Sequence, residues 1–346
     1  MIPRRPLKPR GEFARIERFL EIFRREGVQV DGHEGGTVST PGEALVLGPG
    51  DDCAVLRPTS GTELCVTTDA LMEDVHFTRA AFSPADIGHK ALAVNLSDLA
   101  SMGADPAWFV CALALPPADF GDRDLDGLAR GMAKLARTSG IALAGGNFTR
   151  ARELSITLTV AGEVPRGRAL TRSGAHPGDR LFVSGTLGDA RLGFEQLQGD
   201  ARARGSAVTR QRRPTPRLAL GHLARLHASA AIDLSDGLAQ DAAHLCSASE
   251  CGAVIELAKL PLSAAVRRAW GQRAALEAAT GGEDYELLLA VSPARVPRFL
   301  QACAEAGERV SDIGVLTAEQ AVILRDAEGR EVERPGGFDH FRRTGG

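Results

Sequence analysis

The feature that most constrains this chain is where its acids fall. Short apolar runs repeatedly end in turns rich in Asp, Gly and Ser or Thr. Leu45-Val46-Leu47 leads to Gly48-Pro49-Gly50-Asp51-Asp52, and Leu64-Cys65-Val66 leads to Thr67-Thr68-Asp69. Ile232 leads to Asp233-Leu234-Ser235-Asp236-Gly237, and Gly281-Gly282 precede Glu283-Asp284. Runs of this length bounded by turn residues read as strands, and between them lie stretches with helical periodicity. Strands alternating with helices define a mixed α/β architecture. Carboxylates gathered at strand ends among small residues repel one another unless cations sit between them. Any one of these acids could be a helix cap or turn former; as a set they read as a hard-cation shell. Mg²⁺ takes carboxylate and hydroxyl oxygens.

The helices announce themselves. Phe13, Ile16, Phe19, Leu20 and Phe23 recur at helical spacing. Ser83-Pro84-Ala85-Asp86 supplies an N-cap, a proline at the first helical position and an acid three residues after the cap, and Gly103 closes that segment. A third helix spans Asp122 to Ser139, with Leu125, Leu128, Met132 and Leu135 on one side and Gly140 at its end. Within the second, Asn95 and Asp98 share a polar face opposite Leu92, Leu96 and Leu99. Strands are expected near 141–144, 154–160, 181–183, 230–232, 253–257 and 285–291. Gly145-Gly146, following a strand, and Gly185-x-x-Gly188, opening a helix, would let backbone N–H groups approach an anion. The basic stretch 199–213 reads as a solvated surface loop, with an anion-binding loop as the alternative.

A length of 346 residues suggests two domains: a loose arm over 1–10, an N-terminal domain over 11–165 and a C-terminal domain over 166–346. No apolar run reaches the roughly 18 residues of a membrane span; Trp108 to Leu115 stops at Pro116-Pro117. Six cysteines without Cys-x-x-Cys or zinc-finger spacing read as buried free thiols, and no apolar stretch follows the early arginines, so a cytoplasmic setting is expected. A net charge of -3 argues against nucleic acid as a partner. Only four basic residues are lysine, and no G-x-x-x-x-G-K-[ST] phosphate loop exists, so any phosphate is handled another way.

Taken in order, Gly48 to Asp52, Thr67-Thr68-Asp69, His76-Phe77, Lys90 to Ala100, Met102 to Pro106, Leu170 to Gly174, Ile232 to Leu238 and Gly281 to Leu287 resemble the thiamine-monophosphate kinase family. That family is a branch of the aminoimidazole ribonucleotide synthetase-like group. The resemblance spans about 11 to 341 and implies the group's two-domain fold, a homodimer that pairs N-terminal sheets, and ATP in a cleft near the dimer interface. It implies transfer of the γ-phosphoryl of ATP to thiamine monophosphate with Mg²⁺. Asp69, Asp98 and Asp233 would be the acids at the reacting centre, within a metal shell of Asp52, Thr67, Thr68, Asp69, Asp98, Asn147, Asp233 and Asp236. Gly146, Asn147, Arg172 and Ser235 would contact the nucleotide. His76, Glu283 and Phe338 would contact thiamine phosphate, the last by an aromatic face toward its cationic rings. On its own, His76 reads as a histidine satisfied by backbone, and Asp51 as a turn residue. One departure stands out: Gly145-Gly146-Asn147 replaces the family's Gly-Gly-Asp, removing one negative charge. Two rivals remain at this point: a synthetase of the same group, and a catalytically silent dimer that kept the fold.

Overall fold

The structure is a computed structural model and describes residues 11–32 and 44–333. The arm over 1–10 and Phe338 lie outside the described residues. The described residues form two compact units: one up to Asn95 together with Pro106–Glu163, the other Leu96–Asp105 together with the described residues from Val164 onward. Leu96–Asp105, which a boundary at 165/166 would leave in the first domain, is thus grouped with the second.

The first unit contains α1 (Glu12–Arg25), β1 (Leu45–Leu47), β2 (Val55–Leu56), β3 (Thr62–Met72), α2 (Pro84–Ser101, which runs on into the second grouping), β4 (Asp105–Leu115), α3 (Asp122–Ser139), β5 (Ala142–Arg150) and β6 (Ser155–Pro165). Its four-stranded sheet has the order β3-β6-β4-β5, with β4 and β5 parallel. The apolar run 108–115 is β4, a strand largely buried within its sheet. Phe23 packs on Phe109, and Phe19 on Phe148, with ring centroids 6.0 and 5.5 Å apart, which seats α1 on β4 and β5. Phe13, expected on that apolar face, is 72% exposed, because the buried stripe begins only at Phe19. The start of α2 is the reciprocal cap expected: Asp86 N–H donates to Ser83 Oγ (3.2 Å), and Ser83 N–H donates to Asp86 Oδ2 (3.1 Å).

The second unit holds β7 (Arg180–Ser184), α4 (Asp189–Gly199), α5 (Ser206–Arg212), α6 (Leu218–His227), β8 (Ala230–Asp233), α7 (Leu238–Ala248), β9 (Gly252–Glu256), α8 (Ala264–Trp270), α9 (Ala274–Thr280), β10 (Leu287–Val291), α10 (Val296–Ala306), β11 (Val310–Thr317), β12 (Val322–Arg325) and β13 (Glu331–Val332). Its seven-stranded sheet has the order β13-β12-β9-β11-β7-β10-β8, antiparallel except for β12 beside β9. Both faces are covered. One cluster includes Leu181, Ile232, Leu245, Ile255 and Leu288, and the other Phe182, Leu220, Leu289 and Phe299.

The basic stretch 199–213 is not a solvated loop. Its second half is α5, with Ala207 buried against Leu192 of α4, Val266 of α8 and Ala274, and Val208 also buried. The thiols also differ from expectation: Cys111, Cys246, Cys251 and Cys303 are buried, but Cys53 is exposed and Cys65 half-buried.

Candidate functional site

In the second unit, two loops at neighbouring strand ends interlock. Leu287 of β10 stands opposite Asp233 of β8. Beyond that pair the backbones continue to exchange hydrogen bonds: Leu234 N–H to Glu286 O (2.8 Å), Tyr285 N–H to Leu234 O (2.9 Å) and Glu283 N–H to Ser235 O (2.8 Å). Gly282 is needed here, since a Cβ would come within 2.6 Å of Ser235 O. Glu283 and Tyr285 hold φ of 66° and 50°, left-handed values that cost side-chain-bearing residues about 1–3 kcal/mol each. Strain of this kind persists only where surrounding contacts enforce it, and it concentrates at functional loops.

These loops gather acids. Asp233 is buried and accepts a hydrogen bond from Ser97 Oγ at 2.8 Å. Burial, then the neighbouring Asp98 charge, pushes its carboxyl up to about 8 against the opposing Ser97 and Arg172. Two residues further on, Asp236 accepts from Gln240 Nε2 (3.0 Å). The Asp236 and Gly237 N–H groups donate to Asp241 Oδ2 at 3.1 and 3.0 Å. Asp241 is pushed up to about 7 by burial and by the Asp236 charge. One ligand atom each from Asp236, Asp241 and His244 lie within 4.8 Å of one another. Thus Asp98 lies near Asp233 and Asp236 near Asp241, with Ser235 on the loop between Asp233 and Asp236, and Arg172 is the cation that opposes Asp233 and Asp241. Ser97 and Asp241 are the participants that sequence reasoning missed. Asp241, five residues after Asp236 on the first turn of α7, carried a usable signal; Ser97 carried none, because its partner lies 136 residues away.

Glu283 is half-buried and accepts from Gln211 Nε2 of α5 at 2.5 Å. Asp284 does not face a ligand: it accepts from Gly188 N–H (2.8 Å) and Ala190 N–H (3.3 Å) at the start of α4. The expectation that Gly185-x-x-Gly188 cradles a bound anion is therefore corrected. The helix end is neutralised by the protein's own buried carboxylate. Burial pushes Asp284 up to about 7 even so.

In the first unit, Thr67, Thr68 and Asp69 lie on β3, an edge strand. Thr68 Oγ1 donates to Leu158 O of β6 (2.9 Å), Thr159 Oγ1 lies 3.2 Å from it, and Asp69 is exposed on the same strand. Asp52 is exposed in its turn, and its N–H donates to Asp51 Oδ1 (2.8 Å), so Asp51 does act as the turn former. Gly146 and Asn147 do not follow a strand but lie inside β5, opposite Cys111 and Ala112 of β4. A Cβ at Gly146 would stand 2.1 Å from Cys111 O, so that glycine serves strand approach. β3 and β5 are opposite edges of the sheet, about 14 Å apart along it at ordinary strand spacing. The fold therefore does not bring Asn147 beside Thr67–Asp69 within one copy of this sheet.

His76, half-buried, accepts the Met72 N–H at Nδ1 (3.1 Å), while its own carbonyl accepts from the buried Lys90 Nζ (3.4 Å). With Nδ1 engaged as an acceptor, the neutral ring carries its proton on Nε2, which makes that atom a donor.

The family model for AIR synthase related protein, N-terminal domain, matches residues 50–164, and that for the C-terminal domain matches 176–327. Thiamine-monophosphate kinase of Escherichia coli (strain K12) is 41% identical over 339 residues, covering 96% of this chain and 98% of that protein. The crystal structure of thiamine-monophosphate kinase from Stenotrophomonas maltophilia K279a superposes with a TM-score of 0.80 at 36% identity, covering 91% of this chain and 97% of that one. A structure described as AaThiL complexed with AMPPCP and TMP gives 0.73 at 29% identity, covering 96% and 97%. The two-domain architecture and its acid-lined loops define a member of the AIR synthase related family. Within that family, this chain belongs with the thiamine-monophosphate kinases.

Proposed function

We propose that the chain phosphorylates thiamine monophosphate, using ATP as the phosphoryl donor, to give thiamine diphosphate and ADP. The observation that carries this reading is the buried Asp233 beside Asp98, with Asp236 and Asp241 close by, on loops of a chain 41% identical to a named thiamine-monophosphate kinase.

The chemistry calls for such a cluster. The attacking group is a phosphate oxygen whose second pKa is about 6, so it is already anionic at neutral pH and needs no base. The obstacle is repulsion: two unit charges about 4 Å apart cost about 4 kcal/mol at an effective dielectric of about 20. The residues present fit Mg²⁺, because the donors are hard oxygens and Asp233 is driven toward protonation by burial and an adjacent acid, a tension that a bound cation relieves. When bound there, Mg²⁺ supplies charge neutralisation for the phosphate chains. Asp98, Asp233 and Asp236 would hold the ion, and Ser235 and Arg172 would contact the nucleotide. In the first unit, Asp52, Thr67, Thr68, Asp69 and Asn147 offer further oxygens, and Gly146 gives the nucleotide access to β5. His76 Nε2–H and the Glu283 carboxylate address the acceptor, and we assign Phe338 to its cationic rings. The transfer is direct and in line, without a phospho-enzyme.

The chain also works as a homodimer in this reading. β3 is an open edge with Leu64, Val66 and Met72 exposed at 45%, 58% and 42%, and edges of this kind pair with another copy. Pairing the β3 edge of one copy with the β5 edge of another is the arrangement that would let Thr67–Asp69 and Asn147 serve one site. The setting is cytoplasmic, where ATP is available; among the described residues no helix is long and apolar enough to cross a membrane.

The test is product analysis. Wild type should form ADP and thiamine diphosphate in equal amounts from ATP and thiamine monophosphate, and Asp69→Ala and Asp98→Ala should abolish this while melting normally. ADP release that ignores thiamine monophosphate would overturn the assignment, as would turnover only with an aminoimidazole precursor.

A further inference from the structure

Helix α5 sits directly against the strained loop that carries Glu283. Arg210 donates to the Glu286 carboxylate and to Asp284 O (3.3 Å), while Arg217, just beyond the helix, reaches Glu286 through Nε (2.7 Å) and Nη2 (2.6 Å). Glu286 is fully buried and also takes the Ser184 hydroxyl. These contacts anchor the base of the loop on two arginines. The remaining contact goes to its tip: Gln211, 2% exposed, donates Nε2–H to Glu283 Oε2.

The orientation of that amide is forced. Turning it over would set its carbonyl against the Glu283 carboxylate, so Nε2 stays on Glu283. Its Oε1 is left buried with no hydrogen-bond partner among the described residues. A glutamine kept only for packing or stability is expected to satisfy both ends. Here one end is left unpaired so that the other can hold a carboxylate. The backbone of α5 has little room to follow, because Ala207 is packed into the cluster with Leu192 and Val266 and its carbonyl lies close against Gly193 of α4.

We propose that Gln211 is a positioning residue: it fixes the Glu283 carboxylate and through it sets recognition of the organic part of the phosphorylated acceptor, without touching the nucleotide. This rests on the reading of Glu283 as an acceptor contact.

The experiment is a double-mutant cycle on the full-length enzyme, measuring KM for thiamine monophosphate, KM for ATP and kcat. Gln211→Met keeps length and bulk but removes the donor. It should raise KM for thiamine monophosphate about tenfold, with KM for ATP changed less than twofold. In a Glu283→Ala background, already weakened for thiamine monophosphate, the same substitution should add less than twofold, because its target is gone. Should Gln211→Met fold poorly, Gln211→Glu serves instead, and its KM for thiamine monophosphate should worsen as pH rises and the facing carboxylates both ionise. An unchanged KM for thiamine monophosphate in Gln211→Met, equal losses for both substrates, or additive effects in the cycle would overturn the proposal while leaving Glu283 in place. If Glu283→Ala itself left KM for thiamine monophosphate unaltered, the reading of Glu283 would fall, and this inference with it.

Discussion

Ser97→Ala isolates the electrostatics of the acid cluster with a minimal change. The Ser97 side chain is fully buried on α2, and its hydroxyl donates to Asp233 Oδ2 at 2.8 Å, favouring the ionised carboxylate. A hydrogen bond to a charged group contributes about 1.5–3 kcal/mol, and one pKa unit corresponds to about 1.4 kcal/mol. Deleting the hydroxyl should therefore raise Asp233 by about 1–2 units from its already elevated position near 8. If the ionised form is what holds the metal and nucleotide, its population at pH 7 drops about ten- to a hundredfold. The assay is kcat/KM for ATP between pH 6 and 9 at fixed Mg²⁺. The acid limb of the variant should move up by one unit or more, so that its deficit narrows toward the alkaline end. Alanine suits a helix interior, so the fold should tolerate the change. A superimposable acid limb, or a loss equal at every pH, would refute the assignment of Asp233 as a group that must ionise.

The same cluster makes a stability prediction. The folded Asp233 carboxyl titrates near 8, far above its ordinary value near 4, so the unfolded chain ionises first. Stability is then lost as pH rises from about 4 to about 8 and changes little from this group above that. Asp233→Asn, though inactive, should melt higher than wild type in EDTA, on the order of 5 °C at pH 8 and with no gain near pH 4; a gain independent of pH would contradict this. Asn147→Asp restores a charge to the oxygen set and should lower the half-saturating Mg²⁺ concentration severalfold, whereas coincident rate curves would remove Asn147 from that set. Leu64→Lys with Val66→Lys places charges on the open β3 edge and should turn a dimer into a monomer by light scattering. A wild type that is already monomeric would exclude the composite arrangement of Thr67–Asp69 with Asn147.

What the sequence revealed was local. The Ser83–Asp86 cap and the span of α3 are short-range patterns, and they appear in the structure where the residues indicate. Of the acids placed after apolar runs, Asp233 does end a strand, but Asp69 lies inside β3 rather than in a turn, and Asp98 reaches Asp233 from within α2. Hidden features depend on distant partners. The run at 108–115 is apolar enough to suit any buried element, and only its pairing with Ala142–Arg150 makes it a strand. Gly188 looked ready for an external anion because nothing nearby announces Asp284, 96 residues on, as the occupant of its N–H. The stretch 206–212 is short and basic, so its helix is set by burial of Ala207, Val208 and Gln211 rather than by propensity. Ser97 and Gln211 are legible only once the chain has folded, since each acts on a carboxylate far away in sequence.

The central claim is that clustered carboxylates recruit a divalent cation so that two anions can be brought together. Calorimetric titration of a non-hydrolysable ATP analogue into the protein, with Mg²⁺ and then with EDTA, tests it most directly. The account predicts tight binding only with Mg²⁺, and its loss in Asp98→Asn even with the metal present. Equal affinity in EDTA, or undiminished metal-dependent binding in Asp98→Asn, would contradict it.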